Sequence, residues 1–246
     1  MNGVVPNLAR FEGRMLLRHP AVVVGTVSVV LMVAANVGSP WEVDAYSALG
    51  GLGVATLGPF ALLASNSAWA RTGRDGAAEL LSTLPTPAPS RIAGLLWSGT
   101  SAVALAAMAT AAIAVAFRLG DVEMTRWPTA AELAQGPLAV GCAGILGVVL
   151  ARWLPWRGAA AAAAVAVVVW QLPGSWSGPL VTGVVADDEG RIVGTSAGSV
   201  EWHLVWLLGW AGLGVAAVRL HDRRHLLAAG AAGLLVVVVA GTAQLP

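Results

Sequence analysis

Residues 92–117 read IAGLLWSGTSAVALAAMATAAIAVAF, which is a run of 26 residues without a charged side chain. A helix of that length rises about 39 Å at about 1.5 Å per residue, which exceeds the ~30 Å hydrocarbon core of a bilayer. The 246-residue chain is 57% hydrophobic and 11% charged, whereas soluble domains carry about 25% charged residues. The sequence therefore predicts an integral membrane protein with an all-α fold, in which residues 1–246 form one polytopic bundle of transmembrane helices.

The number of spans follows from the other apolar segments. Seven segments are predicted to cross the membrane, and they are residues 21–38, 46–69, 92–117, 133–151, 158–172, 204–218 and 226–245. The segment 158–172 is the weakest, because a helix of its 15 residues would rise only about 22 Å. About seven spans are therefore expected, and six are the alternative.

The arginines indicate how these spans are oriented. All 14 basic residues are Arg. If the N-terminus is cytoplasmic, eleven of them lie in the cytoplasmic segments 1–20, 70–91, 152–157 and 219–225. The other three lie outside, together with nine acidic residues. This asymmetry follows the positive-inside rule, so a cytoplasmic N-terminus and an external C-terminus are predicted.

Composition excludes several classes of function. The absence of Lys excludes a Walker A motif and a Schiff-base lysine on this chain. A single cysteine, Cys142, excludes an intrachain disulfide and is interpreted as a small packing residue. A net charge of +1 gives no nucleic-acid footprint. No catalytic, cofactor-binding or metal site is predicted, so the chain is not expected to be an enzyme. His221 and His225 are interpreted as part of a charged turn.

The N-terminal segment 7–19 is predicted to be an amphipathic helix on the cytoplasmic membrane surface. Its apolar stripe consists of Leu8, Phe11 and Met15. A neighbouring stripe of basic residues, which can meet lipid phosphates, consists of Arg10, Arg14 and Arg18. The alternative is a positively charged flank whose only role is to set the orientation.

The loop 70–91 is the longest predicted cytoplasmic connection. Thr72 and Asp75 have the spacing of a capping box, which predicts a short helix over 72–85. Three prolines between 85 and 89 favour an extended connection after this helix, and Ser90 can cap the third span. Such a helix is suited to docking into another protein, and a solvated loop is the alternative.

Close packing of helices is predicted for the fourth span. Gly141, Gly144 and Gly147 repeat there every third residue. Small residues let membrane helices approach each other closely, so this repeat indicates a helix contact.

Two further features lie towards the predicted external side. Trp202, Trp206 and Trp210 recur at four-residue spacing and share one face of the sixth span. This face is either a lipid-facing stripe or the wall of a hydrophobic substrate path. His203 is expected to be hydrated. The outer loop 173–200 contains an acidic run that is interpreted as a hairpin turn, with a loose metal-binding patch as the alternative.

Two of these segments resemble a known family. Residues 74–85 read RDGAAELLSTLP and are similar to the cytoplasmic loop of ABC-2-type permeases, which commonly contains a Glu-Leu-Leu-x-x-Leu-Pro pattern. The basic segment that ends in Leu-Leu-Arg-His-Pro at residues 16–20 resembles the N-terminal elbow helix of that family. The family usually has six spans, whereas seven are predicted here.

The resemblance implies the transmembrane subunit of an ATP-driven exporter in a bacterial-type plasma membrane. Its substrate would be hydrophobic or amphipathic, such as a lipid, a peptide or an antibiotic. The segment 72–85 would be the coupling helix, and its partner-binding residues would be Arg74, Asp75, Glu79, Leu80, Leu81 and Leu84.

The resemblance also implies partners. A separate ABC ATPase subunit would bind ATP and Mg²⁺, and a second copy of the permease or a related permease would complete the transporter. Membrane lipids would contact the elbow helix, and no nucleic acid is expected. The alternative function is a non-transporting membrane scaffold or assembly factor, which needs only packing and topology.

Overall fold

The structure is a computed structural model, and it describes residues 4–36, 46, 48–51, 53–74, 87–120, 124–154, 156, 158–170, 184–188, 191–195, 199–219 and 223–242. The helices of the N-terminal half are α1 (Val4–Leu17), α2 (Pro20–Asn36), a π-helical turn (Gly53–Leu57), α3 (Gly58–Arg74) and α4 (Ala88–Leu119). The later elements are α5 (Ala130–Trp153), α6 (Ala159–Trp170), β1 (Val184–Ala186), β2 (Ile192–Thr195), α7 (Val200–Arg219) and α8 (Arg223–Thr242).

Several of these helices suit a membrane. Within the described residues, four are long and apolar enough to cross one, namely Ala48–Arg71, Pro89–Leu119, Ala130–Trp153 and Val200–Arg219. α1 and α2 add a fifth if this pair, which is bent by 59°, forms one span. Two apolar stretches in α6 and α8 are shorter. The predicted bundle of helices is thus confirmed, with four or five that could cross a membrane, whereas the count of six or seven spans stays a prediction.

α3 and α5 lie side by side and run parallel. A Cβ added at Gly136 would lie 3.0 Å from the carbonyl oxygen of Gly50, and one added at Gly147 would collide with the carbonyl oxygen of Leu62. The Asn66 side chain donates a hydrogen bond to the carbonyl oxygen of Gly147 at 3.1 Å. The backbones therefore approach closely over this length, as the glycine repeat predicted.

α4 packs on α5 in the opposite direction. A Cβ added at Gly141 would lie 2.7 Å from Cγ2 of Val103. At the far end of α4, the Arg118 guanidinium lies 4.3 Å from the centre of the Trp127 ring. The repeat in α5 thus faces both α3 and α4.

α7 runs parallel to α5 and is backed by α8. The Cys142 thiol donates to the carbonyl oxygen of Leu207 at 3.3 Å, and the Trp153 indole nitrogen donates to the carbonyl oxygen of Ala217 at 3.0 Å. The bond between Trp153 and Ala217 places the C-terminal ends of α5 and α7 next to each other on one side of the bundle. We name this side of the bundle the Arg152 end and the opposite side the Glu132 end.

The start of α4 differs from the prediction. α4 begins at Ala88 after Pro87, which occupies the N-cap position without a side-chain hydrogen bond. The prediction that Ser90 caps this helix is therefore wrong. A proline in the first helical turn gives up an N–H group that would have no partner there, so the helix extends back into the proline-rich segment.

A short hairpin lies within the predicted outer loop. β1 and β2 pair antiparallel, with Val184 opposite Thr195. The Asp187 amide donates to the carbonyl oxygen of Arg191, and the Arg191 amide donates to the Asp187 carboxylate at 2.8 Å. The hairpin interpretation of the acidic run is thus confirmed, and Asp187 closes its turn.

Candidate functional site

An apolar cavity of about 550 Å³ lies between α5, α6 and α7. α5 supplies residues between Ala139 and Val149, α6 supplies Val167, and α7 supplies residues between Trp206 and Ala217. Leu146 and Trp210 line the cavity and are also exposed on the surface of the bundle. The cavity therefore opens sideways, where a membrane would surround the protein.

Two of the three predicted tryptophans line this cavity. Trp206 and Trp210 meet edge to face, with ring centres 6.0 Å apart. Trp202 is exposed and is not among the lining residues. The tryptophan face of α7 is thus exposed at Trp202 and lines the cavity at Trp206 and Trp210, whereas its role as a lipid-facing stripe or a substrate path stays a prediction.

The cavity ends near a cluster of aromatic and basic groups. The Arg152 guanidinium lies 5.8 Å from the centre of the Trp69 ring and 5.9 Å from that of Trp153. Trp153 is bonded to Ala217, which is the last lining residue of α7. Arg219 is exposed two residues later. A positive charge therefore lies near the Arg152 end of an apolar space, an arrangement that can bind an anionic amphiphile.

A second polar cluster lies at the Glu132 end, and sequence reasoning missed it. Arg126 donates two hydrogen bonds to Glu132, at 2.7 and 3.2 Å. Arg126 also donates to the Tyr46 hydroxyl at 3.4 Å. The Glu132 side chain is only 6% exposed, whereas that of Arg126 is 42% exposed. The ion pair joins the connection before α5 to α5 itself, and the bond from Arg126 to Tyr46 joins that connection to the segment before the π-helical turn.

One part of this cluster had a sequence signal. Thr129 and Glu132 form a complete capping box, in which the Thr129 amide donates to the carboxylate at 2.6 Å and the Glu132 amide donates to the hydroxyl at 3.3 Å. The Thr-x-x-Glu spacing could have identified this helix start. The partnership with Tyr46 had no local signal, because the two residues are far apart in sequence.

α1 agrees in extent with the predicted elbow helix but packs through a different face. A Cβ added at Gly94 of α4 would meet the Leu8 side chain at 2.8 Å, and one added at Gly13 would collide with Ser101. Phe11 is 60% exposed. Leu8 therefore packs inward, and only the rest of the predicted stripe, Phe11 and Met15, is available to a membrane surface.

The basic stripe of α1 is exposed as predicted, since Arg10, Arg14 and Arg18 all face away from the bundle. By helical geometry, Phe11 and Met15 lie between these arginines and the packed face. This order of basic, apolar and packed faces suits a helix at a membrane interface.

Glu12, which does not fit the amphipathic pattern, has a partner in the fold. Its carboxylate lies 3.8 Å from the Arg71 guanidinium near the end of α3. Burial raises the pKa of Glu12, and the nearby Arg71 charge opposes this rise. The pair connects α1 to the residues that enter the loop predicted to couple with an ATPase.

The predicted coupling residues cannot be placed with the same detail. Arg74 is the last residue of α3. Asp75, Glu79, Leu80, Leu81 and Leu84 lie outside the described residues. α3 continues through Arg74, so Thr72 lies inside α3 and the predicted capping box that would start a new helix there is wrong. The rest of the coupling helix, over 75–85, stays a prediction.

The expectation for His203 was wrong. Its side chain is 3% exposed, and its ring stacks on Trp206 with centres 5.4 Å apart. His203 lies one helical turn before the buried Leu207, so the packing of α7 on α5 covers both. Hydropathy alone placed His203 near the end of an apolar segment, but it did not show which face of α7 its side chain lies on.

No protein-family model matches the chain, and neither the curated proteins nor the solved structures contain a match. The resemblance to ABC-2-type permeases therefore rests on the two short sequence segments.

Proposed function

We propose that this chain is the transmembrane subunit of an ATP-driven exporter of the ABC-2 type, which moves a hydrophobic or amphipathic substrate. The observation that carries the proposal is the apolar cavity between α5, α6 and α7, which opens on the side of the helical bundle. Ligand sites are commonly concave and mostly apolar, and sites between the helices of a bundle are typical. A lipid, a peptide or an antibiotic would suit such a space.

The energy for transport would come from another protein. The chain has no Lys and hence no Walker A lysine. A separate ATPase subunit would bind ATP and Mg²⁺ and dock on the segment 72–85. The Arg71–Glu12 pair supports this arrangement, because it connects the helix that enters the segment to α1, and α1 in turn packs along α4.

The arginine asymmetry supports a cytoplasmic N-terminus in a bacterial-type plasma membrane. In that orientation the Arg152 end faces the ATPase. A second copy of the chain or a related permease would complete the transporter.

Co-purification tests the proposal. The tagged chain is isolated from membranes of its native host, and the captured proteins are assayed for ATP hydrolysis and for a Walker motif. We expect an ATPase to be captured by the wild type and lost with Glu79→Arg or Leu80→Asp. Asp188→Arg in the exposed hairpin turn is the control.

Two results would argue against the proposal. One is a complex that contains no ATP-hydrolysing protein, which would favour a membrane scaffold. The other is an ATPase that stays bound when both loop substitutions are present.

A further inference from the structure

We propose that the cavity binds an anionic phospholipid from the membrane leaflet at the Arg152 end, with one acyl chain inside the cavity and the phosphate near Arg152. This inference rests on the proposed function, because it names the class of substrate that the exporter would take up. The binding step itself requires no ATPase and can be measured alone.

The length of the cavity fits one acyl chain. Its lining on α7 runs from Trp206 to Ala217. These residues are eleven steps apart, which is about 16 Å at about 1.5 Å per residue. One leaflet contributes about half of the ~30 Å hydrocarbon core, or about 15 Å. A chain inserted from the Arg152 end would therefore reach about the middle of the bilayer.

The chemistry of the lining fits hydrocarbon. Every lining residue is apolar, small or aromatic, as Leu146, Val149 and Leu213 illustrate. Two polar groups beside it are already bonded, since the Cys142 thiol donates to Leu207 and the Trp153 indole donates to Ala217. A charged headgroup inside this apolar space would lose its hydration, so it must stay outside, at the Arg152 end.

The charge at the Arg152 end of the cavity selects the headgroup. Arg152 stands beside Trp69 and Trp153, which are the kind of amphipathic side chains that occupy a membrane interface. Arg219 ends α7 at the same level. The segments that the arginine pattern assigns to this side contain eleven Arg and four acidic residues. Their balance of charge is positive and favours a phosphate whose lipid carries net negative charge.

The side opening explains how such a lipid would enter. Trp210 is 45% exposed although it lines the cavity. Among the described residues of α6, Val167 alone contributes to the wall, so within the part of the chain that the structure describes α6 does not cover α5 and α7 along their whole length. A lipid can therefore move into the site from the bilayer without its chain crossing water.

Lipid affinity tests the headgroup. The purified chain in detergent is titrated with phosphatidylglycerol or with phosphatidylcholine of the same acyl chains, and bound lipid is counted by native mass spectrometry. We expect phosphatidylglycerol to bind about tenfold more tightly, since the choline ammonium of phosphatidylcholine cancels the charge of its phosphate and a basic residue beside a net anionic lipid contributes about 1 kcal/mol. Arg152→Gln should remove the preference and Arg152→Lys should keep most of it. Arg191→Gln, in the distant hairpin, is the matched control.

Substitutions in the wall test the acyl chain. Ala216→Trp fills the space and should abolish binding of both lipids, whereas Leu208→Trp is on an exposed surface outside the lining and should not. Lipids with brominated acyl chains should quench the fluorescence of Trp206 and Trp210. Replacing both residues by Phe should therefore remove that part of the fluorescence quenching.

Several outcomes would overturn the inference. One is equal affinity for both lipids, and another is an equal loss of lipid binding with Ala216→Trp and Leu208→Trp. A third is a dimer that binds no lipid, which would assign the cavity to contact with a second copy of the chain. Failure of the proposed function gives a different result, since the lipid would still bind with its preference while no ATPase co-purified.

Discussion

Replacing Arg126 by Gln should destabilise the protein more than replacing its partner Glu132 by Gln. The Glu132 side chain is 6% exposed and accepts two bonds from Arg126, whereas the Arg126 side chain is 42% exposed. The two groups therefore differ in whether they can reach water once the partner has been removed. A carboxylate without its partner stays buried, but a guanidinium without its partner can turn towards water.

The magnitude follows from this asymmetry. Removing one partner of a buried ion pair costs about 3–5 kcal/mol of unfolding free energy. Arg126→Gln should cost about 3 kcal/mol, the lower limit, because the Thr129 amide still donates to the Glu132 carboxylate. Glu132→Gln should cost about 1 kcal/mol, since glutamine also serves in a capping box.

The assay is thermal unfolding of the purified chain in detergent micelles. A change of 1 kcal/mol shifts the midpoint by about 2–4 °C for a chain of this size. Arg126→Gln should thus lower the midpoint by about 6–12 °C and Glu132→Gln by about 2–4 °C. Arg191→Gln, which breaks an exposed 3.8 Å pair, should shift it by less than about 3 °C.

The double variant makes the test stricter. Adding Glu132→Gln to Arg126→Gln removes the buried charge, so the double variant should be more stable than Arg126→Gln alone. The reasoning is refuted if Glu132→Gln is the more damaging single change, or if the second substitution lowers the midpoint further.

Two other predictions concern packing and pH. Gly147→Ala should lower the free energy of unfolding by about 1–3 kcal/mol, because the added Cβ would collide with the backbone of Leu62. Gly212→Ala should raise it by about 0.5–1 kcal/mol, because a Cβ there meets nothing within 4 Å. Equal unfolding midpoints for the two variants would contradict this. The His19 Nδ1 atom accepts a hydrogen bond from the Ala21 amide at 3.2 Å, and burial together with the nearby Arg71 charge lowers the pKa of His19. Because the unfolded chain then binds a proton more readily than the folded one, stability should fall as the pH drops below about 6.5, and His19→Gln should flatten this dependence. Unfolding midpoints measured between about pH 5.5 and 7.5 check this, and greater stability at the lower pH would contradict it.

Hydropathy located the membrane helices but not their ends. The charge-free run 92–117 lies within α4 and the run 133–151 within α5. α5 begins earlier, at Ala130, because the capping box of Thr129 and Glu132 determines its start. A hydropathy pattern treats Glu132 as a loop residue, although the fold buries it.

Partnerships between distant segments were the least predictable part. The arrangement of Tyr46, Arg126 and Glu132 depends on how the segment before the π-helical turn meets the start of α5. In the same way, the sequence pattern of α1 did not reveal that Leu8 would pack on α4 while Phe11 stayed exposed. The pattern shows that a helix is amphipathic, but its neighbours decide which apolar residues they cover.

The cavity could be predicted only in part. The four-residue spacing of Trp206 and Trp210 placed both on one face of a helix. Whether that face meets lipid or a cavity depends on the distance between α5 and α7 and on the position of α6. These are properties of the packed bundle, and no local sequence pattern records them.

The central claim is that ATP hydrolysis by a partner drives an amphiphile through this chain. The most direct test is movement of fluorescent phosphatidylglycerol between the leaflets of vesicles that contain the chain with its co-purified ATPase. We predict movement that requires ATP, that is lost with Ala216→Trp and that is kept with Leu208→Trp. Movement that does not depend on ATP, or that Ala216→Trp leaves unchanged, would contradict the account.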